Sequence, residues 1–293
     1  MKQLKIFQSM WGMEFDRPDG FQWTLEQKLK KIAEAGFSGV SFDVPHHNQA
    51  FVQAAQPFLK EYGLKSAFNA FVDSSESYQA IINWASELEC PPEFIGLIGQ
   101  IQPWDVQKVA AQTQEWLNIG KAAEIATYVE VHRNCMTNDF HFTLQLMEEV
   151  QELSMVADLS HALVNQEWYL PISEEASALV SRFLQRTQAF HGRVGTREQA
   201  QVPLGFPQNQ PWFELFQSWW LEGFRSWQSR HQSDANAECV FVCELGPPPY
   251  AITGADGHEL SDRWQEALIL KGVAERLWKR ASEVNIAAEL QES

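Results

Sequence analysis

The sequence predicts an α/β chain folded as one parallel (β/α)8 barrel across residues 1–293. Three observations carry that prediction. Eight strand-like runs alternate strictly with helix-like runs, a pattern that calls for parallel strands joined by helical crossovers. No composition block sets one half of the chain apart from the other, which favours a closed barrel over an open doubly wound sheet. Four of the apolar runs stop abruptly on a side chain able to bind metal, and a parallel barrel builds its site at the C-terminal ends of its strands.

Taken in order, residues 4–10 read as the first strand, and the loop after Trp11, Gly12 and Met13 carries Asp16, Pro18, Asp19 and Gly20. Thr24 caps the first helix, with Gln27 three residues on completing a capping box. Leu25, Leu29, Ile32 and Ala33 form its apolar stripe, and Gly36 ends it. Residues 39–44 are the second strand, residues 48–62 a helix closed by Gly63, and residues 64–70 the third strand. Ser74 then caps a helix running to about residue 89. Pro91 and Pro92 break the chain before the fourth strand, residues 94–100. Residues 105–123 are helical, 126–131 the fifth strand and 140–153 helical again.

The sixth strand ends in Asp158. Ser173 caps a helix whose Ala176, Leu179, Val180, Phe183 and Leu184 share one face. Residues 188–194 are the seventh strand, 212–229 a helix, 239–244 the eighth strand and 260–281 the last helix. The connection 195–210 is long and polar, as lids and binding loops are.

Composition narrows the functional classes. A formal charge of -16 excludes nucleic-acid binding, which needs clustered Lys and Arg to neutralise phosphates. No run of eighteen apolar residues exists, and a short strand pattern begins directly after Met1 and Lys2, so neither a membrane span nor a signal peptide is expected. Cys90, Cys135, Cys239 and Cys243 form no CxxC pair and read as reduced thiols of a cytoplasmic protein.

The four abrupt run ends are Glu130 after Ala126-Thr127-Tyr128-Val129, Asp158 after Val156-Ala157, His191 after Thr187-Gln188-Ala189-Phe190, and Glu244 after Cys239-Val240-Phe241-Val242-Cys243. An ionised Asp buried at a strand end costs several kcal/mol unless a cation or several donors meet it. Strand alternation places Glu130 with His132 and His191 with Arg193, and turns Val129, Val131 and Cys243 towards the helices. Three carboxylates and one imidazole around one point suit Mn²⁺ or Mg²⁺ first, then Co²⁺ or Zn²⁺, and are too oxygen-rich for a structural zinc site. Each residue alone has a plainer reading as a cap, a salt bridge or a core histidine. Four at the same end of four units are harder to explain that way.

These residues also resemble those of the xylose-isomerase-like TIM barrels, a superfamily of sugar isomerases and epimerases with a DNA-repair endonuclease branch. The resemblance spans the whole barrel. It is carried by Gly36-Phe37-Ser38-Gly39-Val40, Val129-Glu130-Val131-His132-Arg133, Ala157-Asp158-Leu159-Ser160-His161, His191-Gly192-Arg193-Val194-Gly195 and Cys243-Glu244. It implies that Glu130, Asp158, His191 and Glu244 ligate one divalent metal, and that His161 and Arg197 contact substrate. The endonuclease branch needs further histidines at the third and fourth strand ends, which here read Phe68-Asn69-Ala70 and Ile98-Gly99-Gln100.

The implied chemistry is isomerisation or epimerisation of a small sugar or sugar-like polyol through an enediolate, with Glu130 and Glu244 as acid and base. A metal-dependent keto-polyol dehydratase and a non-catalytic sugar- or partner-binding barrel are the alternatives. His132, Arg133 and Arg193 are further substrate-binding candidates. Asp43 ends the second strand and His46 and His47 follow it; placement on the rim could make one of the three a pocket residue, with solvated loop histidines the plainer reading. Phe7, Trp11 and Phe71 could wall the pocket, with core packing the simpler role for Phe7. Trp212, Phe216, Trp219, Trp220, Phe224 and Trp227 form an aromatic stripe that packs on the barrel, any exposed surplus giving a homo-oligomer contact.

Overall fold

The computed structural model describes residues 2–15 and 19–292, with side chains through residue 283; Asp16 and Pro18 of the first loop lie outside the described residues. Eight strands run parallel: β1 (Gln3–Ser9), β2 (Gly39–Val44), β3 (Lys65–Val72), β4 (Phe94–Gly99), β5 (Ala126–Glu130), β6 (Met155–Ala157), β7 (Thr187–His191) and β8 (Glu238–Cys243). They pair in chain order, and β8 returns to pair with β1, closing the barrel. Around them lie α1 (Leu25–Glu34), α2 (Gln49–Tyr62), α3 (Ser75–Ser86), α4 (Val106–Ala122), α5 (Phe140–Glu149), α6 (Leu159–Gln166), α7 (Glu174–Leu184), α8 (Gln210–Arg230) and α9 (Arg263–Glu292).

Local chemistry sets most helix starts. The Thr24 hydroxyl accepts from the Gln27 amide while the Gln27 side chain accepts from Thr24 N–H. Ser74 and Ser77 do the same ahead of α3. Asn48, Asp105, Asp139 and Ser173 each cap one further helix. Each cap contributes about 1 kcal/mol by satisfying otherwise unpaired amides. Gly63 closes α2 in the left-handed region, at φ 65°.

Two helices depart from the sequence expectation. The segment after Asp158 forms α6, whose eight residues are too few for a sustained periodic signal. The last helix starts at Arg263 rather than near residue 260, since Asp262 supplies the oxygen that accepts from the amides of Trp264 and Gln265.

The aromatic stripe is core. Trp220 packs edge-on against Phe241 at 5.3 Å, Phe224 against Phe190 at 5.0 Å, and Trp227 against Trp278 at 5.6 Å. A Cβ on Gly223 would sit 2.4 Å from the Phe190 ring, so this close approach needs glycine. All of the stripe but half-buried Trp212 is buried.

Inside the barrel, Phe7, Ala67, Phe94, Val156, Ala189, Val240 and Val242 make a separate apolar plug with Tyr128 beside it. Phe7 therefore belongs to the plug and not to a pocket wall. The strand period of two then places the next inward residues: Asn69 above Ala67, Glu130 above Tyr128, Asp158 above Val156, His191 above Ala189 and Glu244 above Val242. Val129, Val131 and Cys243 lie in the other core, between sheet and helices. Among the described residues, no helix is long and apolar enough to cross a membrane.

Candidate functional site

At the C-terminal mouth, one oxygen each from Glu130, Asp158 and Glu244 and one nitrogen from His191 lie within 4.8 Å of one another. All four residues are buried. His191 Nδ1 rests against Glu244 Oε2 and 3.6 Å from Glu130 Oε1, so both glutamates face the same ring nitrogen. Glu130 Oε2 is buried without a hydrogen-bond partner. Three carboxylates share this volume with a single guanidinium, that of Arg193. The donor set fits a hard divalent cation, and the group can hold one.

Each donor is held by its own element. Thr137 Oγ1 donates to the Glu130 carbonyl at 2.7 Å and accepts from His132 N–H, fixing the chain as it leaves β5. Asp158 sits at the N-terminus of α6, where its Oδ1 accepts from the Ser160 amide at 3.1 Å and the Ser160 hydroxyl at 2.6 Å. Its Oδ2 is left for Arg193 Nη2, which donates to it. That first helical turn is what brings His161 back, with Nε2 3.6 Å from Asp158 Oδ2.

The protonation pattern follows from burial set against neighbours. Burial raises the Glu130 carboxyl, its neighbours Glu244 and Asp158 add to this, and His191 only partly offsets it, leaving the group at about 7. Burial would raise Glu244 and Asp158 as well, but Arg193 and the nearby histidines hold both below the usual carboxylate range. Burial would lower His191, yet Glu244 and Glu130 lift it well above an ordinary imidazole. His161 and His132 are lowered chiefly by burial and are neutral at pH 7. A guanidinium only donates, so the 3.1 Å contact from Arg193 makes His161 Nε2 the acceptor and puts its proton on Nδ1.

Above this floor opens a pocket of about 290 Å³ lined by Trp11, Phe71, Ile98 and Tyr250 with Asp43, His46, Asn69, His132 and Arg193. Trp11 and Phe71 thus stand where an apolar wall was expected. Asp43 is buried, accepts from Asn69 Nδ2 at 2.8 Å, and is raised to about 6 by burial and by Glu244. His46 is half exposed and bonds Glu14 at 2.8 Å. His47 is not solvated: it is buried, and its Nδ1 accepts from the Asp43 amide at 2.9 Å. Burial works against Glu14, but His47 and His46 hold its carboxyl down at about 2.

Arg197 is placed elsewhere. It pairs with Glu198 at 2.6 Å, reaches Glu167 at 3.6 Å, and stacks on Tyr169. The chain leaves the barrel wall just after His191, so a side chain six residues on is carried outward while Arg193, two residues on, stays on the inward face. The connection 195–210 supplies no residue to the lining of that pocket. Gln201 exchanges two hydrogen bonds with the Gly246 backbone, and Leu204 N–H donates to Glu266 at 2.8 Å, tying the loop down beside α9. Asn69, Ile98 and Tyr250 line the pocket without having been assigned to it from the sequence. Asn69 is an ordinary strand amide with no motif around it. Tyr250 belongs to the loop between β8 and α9, where the run Pro247-Pro248-Pro249 was the available sign of a structured segment.

No family model matches the chain, and no curated protein matches it by sequence. Solved structures do match in fold. An L-ribulose 3-epimerase superposes with a TM-score of 0.61 at 12% identity, covering 99% of each chain. A D-allulose 3-epimerase from Methylomonas sp., in complex with D-allulose, gives 0.56 at 13%, covering 96% of this chain and 98% of the other. A xylose isomerase-like TIM barrel protein from Mycobacterium smegmatis, in complex with magnesium, gives 0.57 at 11%, covering 92% and 97%. With eight parallel strands closed in order and matches of this extent, the chain has the fold of the xylose-isomerase-like TIM barrels.

Proposed function

We propose that the protein is a divalent-metal-dependent isomerase or epimerase of a small sugar or sugar-like polyol. The observation that supports this reading most is the meeting of Glu130, Asp158, His191 and Glu244 at the floor of a small, partly aromatic pocket. Mn²⁺ or Mg²⁺ suits three carboxylates and one imidazole best. Held there, the ion would supply electrostatic stabilisation of the charge that develops beside a carbonyl.

The chain's own groups do the rest. Glu130 and Glu244, side by side at the pocket floor, are the acid–base pair, one taking the proton from carbon and the other returning one. Trp11, Phe71 and Tyr250 offer faces for the apolar side of a sugar ring and exclude water. Asn69, Asp43 and His132 are the polar groups available to its hydroxyls.

The test is exchange of a carbon-bound hydrogen of ketoses with solvent deuterium in the metal-loaded protein. Glu130→Gln and Glu244→Gln should each lower exchange by about 10²-fold or more. Product of unchanged formula carrying deuterium supports the proposal; loss of water would replace it with the dehydratase. Full retention of exchange in both variants would remove these residues from the chemistry.

A further inference from the structure

The chain carries 38 acidic against 22 basic residues, and Arg182 pairs with Glu148, Arg197 with Glu198 and Arg263 with Glu259. Among the described residues Arg133 has no carboxylate partner, as is also true of Arg186 and Arg230, but unlike those two it follows β5 at the site, where it is half-buried. Its Cζ instead lies 4.7 Å over the Tyr250 ring. On the same ring, at 4.9 Å, lies the guanidinium of Arg193. One pocket tyrosine therefore gathers two guanidinium groups.

Arg193 is itself 1% exposed, and although Nη2 is taken by Asp158, its Nε and Nη1 are buried without any hydrogen-bond partner. Burying a guanidinium with donors unmet is costly, and an oxyanion arriving from the pocket is the chemistry that meets them. His132 adjoins this wall, with its Nδ1–H donating to the Arg133 carbonyl at 2.6 Å and its ring packed 4.0 Å from that of His161. Asp43 and Asn69 line the same pocket and are suited to hydroxyl groups. The pocket thus combines an acidic floor with a wall on which Arg193 has donors unmet and Tyr250 carries the Arg133 guanidinium on its ring.

From this asymmetry we infer that the substrate bears an oxyanion, a carboxylate or a phosphate ester, seated against Arg133, Tyr250 and Arg193 while its neutral hydroxyl-bearing portion reaches the floor. The inference rests on the sugar reading above and narrows its substrate class from neutral sugars to sugar acids or sugar phosphates. Repulsion between the anion and Glu130 and Glu244 then sets the direction in which the substrate lies.

Equilibrium binding on the full chain tests this by calorimetry, with and without Mn²⁺, using a neutral ketohexose, its 6-phosphate and a ketohexonate of the same carbon number. At least one anionic probe should bind about tenfold or more tightly than the neutral one, the margin of a charge-assisted hydrogen bond. That margin should shrink as salt rises. Which anionic probe is preferred identifies the carboxylate or the phosphate as the group held. In Arg133→Gln the preference should fall to about twofold or less, and Arg133→Lys should restore part of it. An unchanged urea midpoint reports that the variant is folded.

Equal affinity for the neutral and both anionic probes in the unaltered protein, or a preference untouched in Arg133→Gln, overturns the inference and leaves the sugar reading standing. Failure of all three probes to bind, with or without metal, overturns both.

Discussion

Arg193 shows how a single side chain governs this site. It neutralises Asp158, stands 3.7 Å from Glu244 and donates to His161, so it sets the charge of two candidate ligands and the tautomer of a histidine. Removing it leaves a buried carboxylate without its cation, a loss worth about 3–5 kcal/mol. Urea unfolding of Arg193→Met should show that loss in chelator and a smaller one in Mn²⁺, because the divalent ion supplies replacement charge. Glu266 makes a second residue-scale case. Burial raises its carboxyl to about 7, though Leu204 N–H bonds to it. A carboxyl whose folded value lies above its unfolded one binds more protons when folded, so stability falls as pH rises from about 4.5 to about 7 and stays lowered above. Glu266→Gln should flatten that part of the pH–stability curve and raise stability at pH 8 by about 1–3 kcal/mol, read from urea midpoints.

At the scale of elements, legibility tracked how local the deciding interaction is and how long the element runs. The starts of α1, α2, α3, α4 and α7 were readable because each depends on a cap and amides within three residues of it. The α6 helix and the course of 195–210 were not. The first is capped locally by Asp158 but is only eight residues long, too short for a sustained periodic pattern, and the second is held by Gln201 with Gly246, 45 residues away. Contacts of that span leave no periodic trace. Because Gln201 joins the two longest loops, Gln201→Ala should free both. Limited proteolysis should then nick the chain between residues 199 and 206 several-fold faster, and KM should rise as Tyr250 loses its support. An unchanged digestion rate would mean that the Leu204–Glu266 bond alone holds the loop.

For the whole molecule, the apolar plug and the acidic ring above it are two layers of one closed sheet, and closure forces like charges together. In the metal-free protein that crowding is relieved by protons. Glu130 is raised to about 7 and His191 well above its ordinary value, so both bind protons more tightly when folded. Both therefore stabilise less as pH rises, whereas His132 and His161, lowered by burial, act in the opposite sense only below about pH 6.5. Glu130's share is lost between about pH 4.5 and about pH 7 and that of His191 from about pH 6.5 upward; over that rise the chelated protein should lose thermal stability while the Mn²⁺-loaded protein holds nearly level, since the ion takes the place of those protons. Thermal scans across that range check it; parallel curves would mean that no ion binds at these residues.

The order of strands and helices, the inward parity of Glu130, Asp158, His191 and Glu244, and the apolar faces that pack them were fixed by the sequence alone, because periodicity and capping act over a few residues. Tertiary structure decided which cation each carboxylate meets, that Arg193 and not Arg197 stays at the site, and that Asn69 and Tyr250 complete the pocket. Those outcomes depend on barrel closure, which brings together positions as far apart in the chain as Trp11 and Tyr250, a juxtaposition that no local pattern encodes.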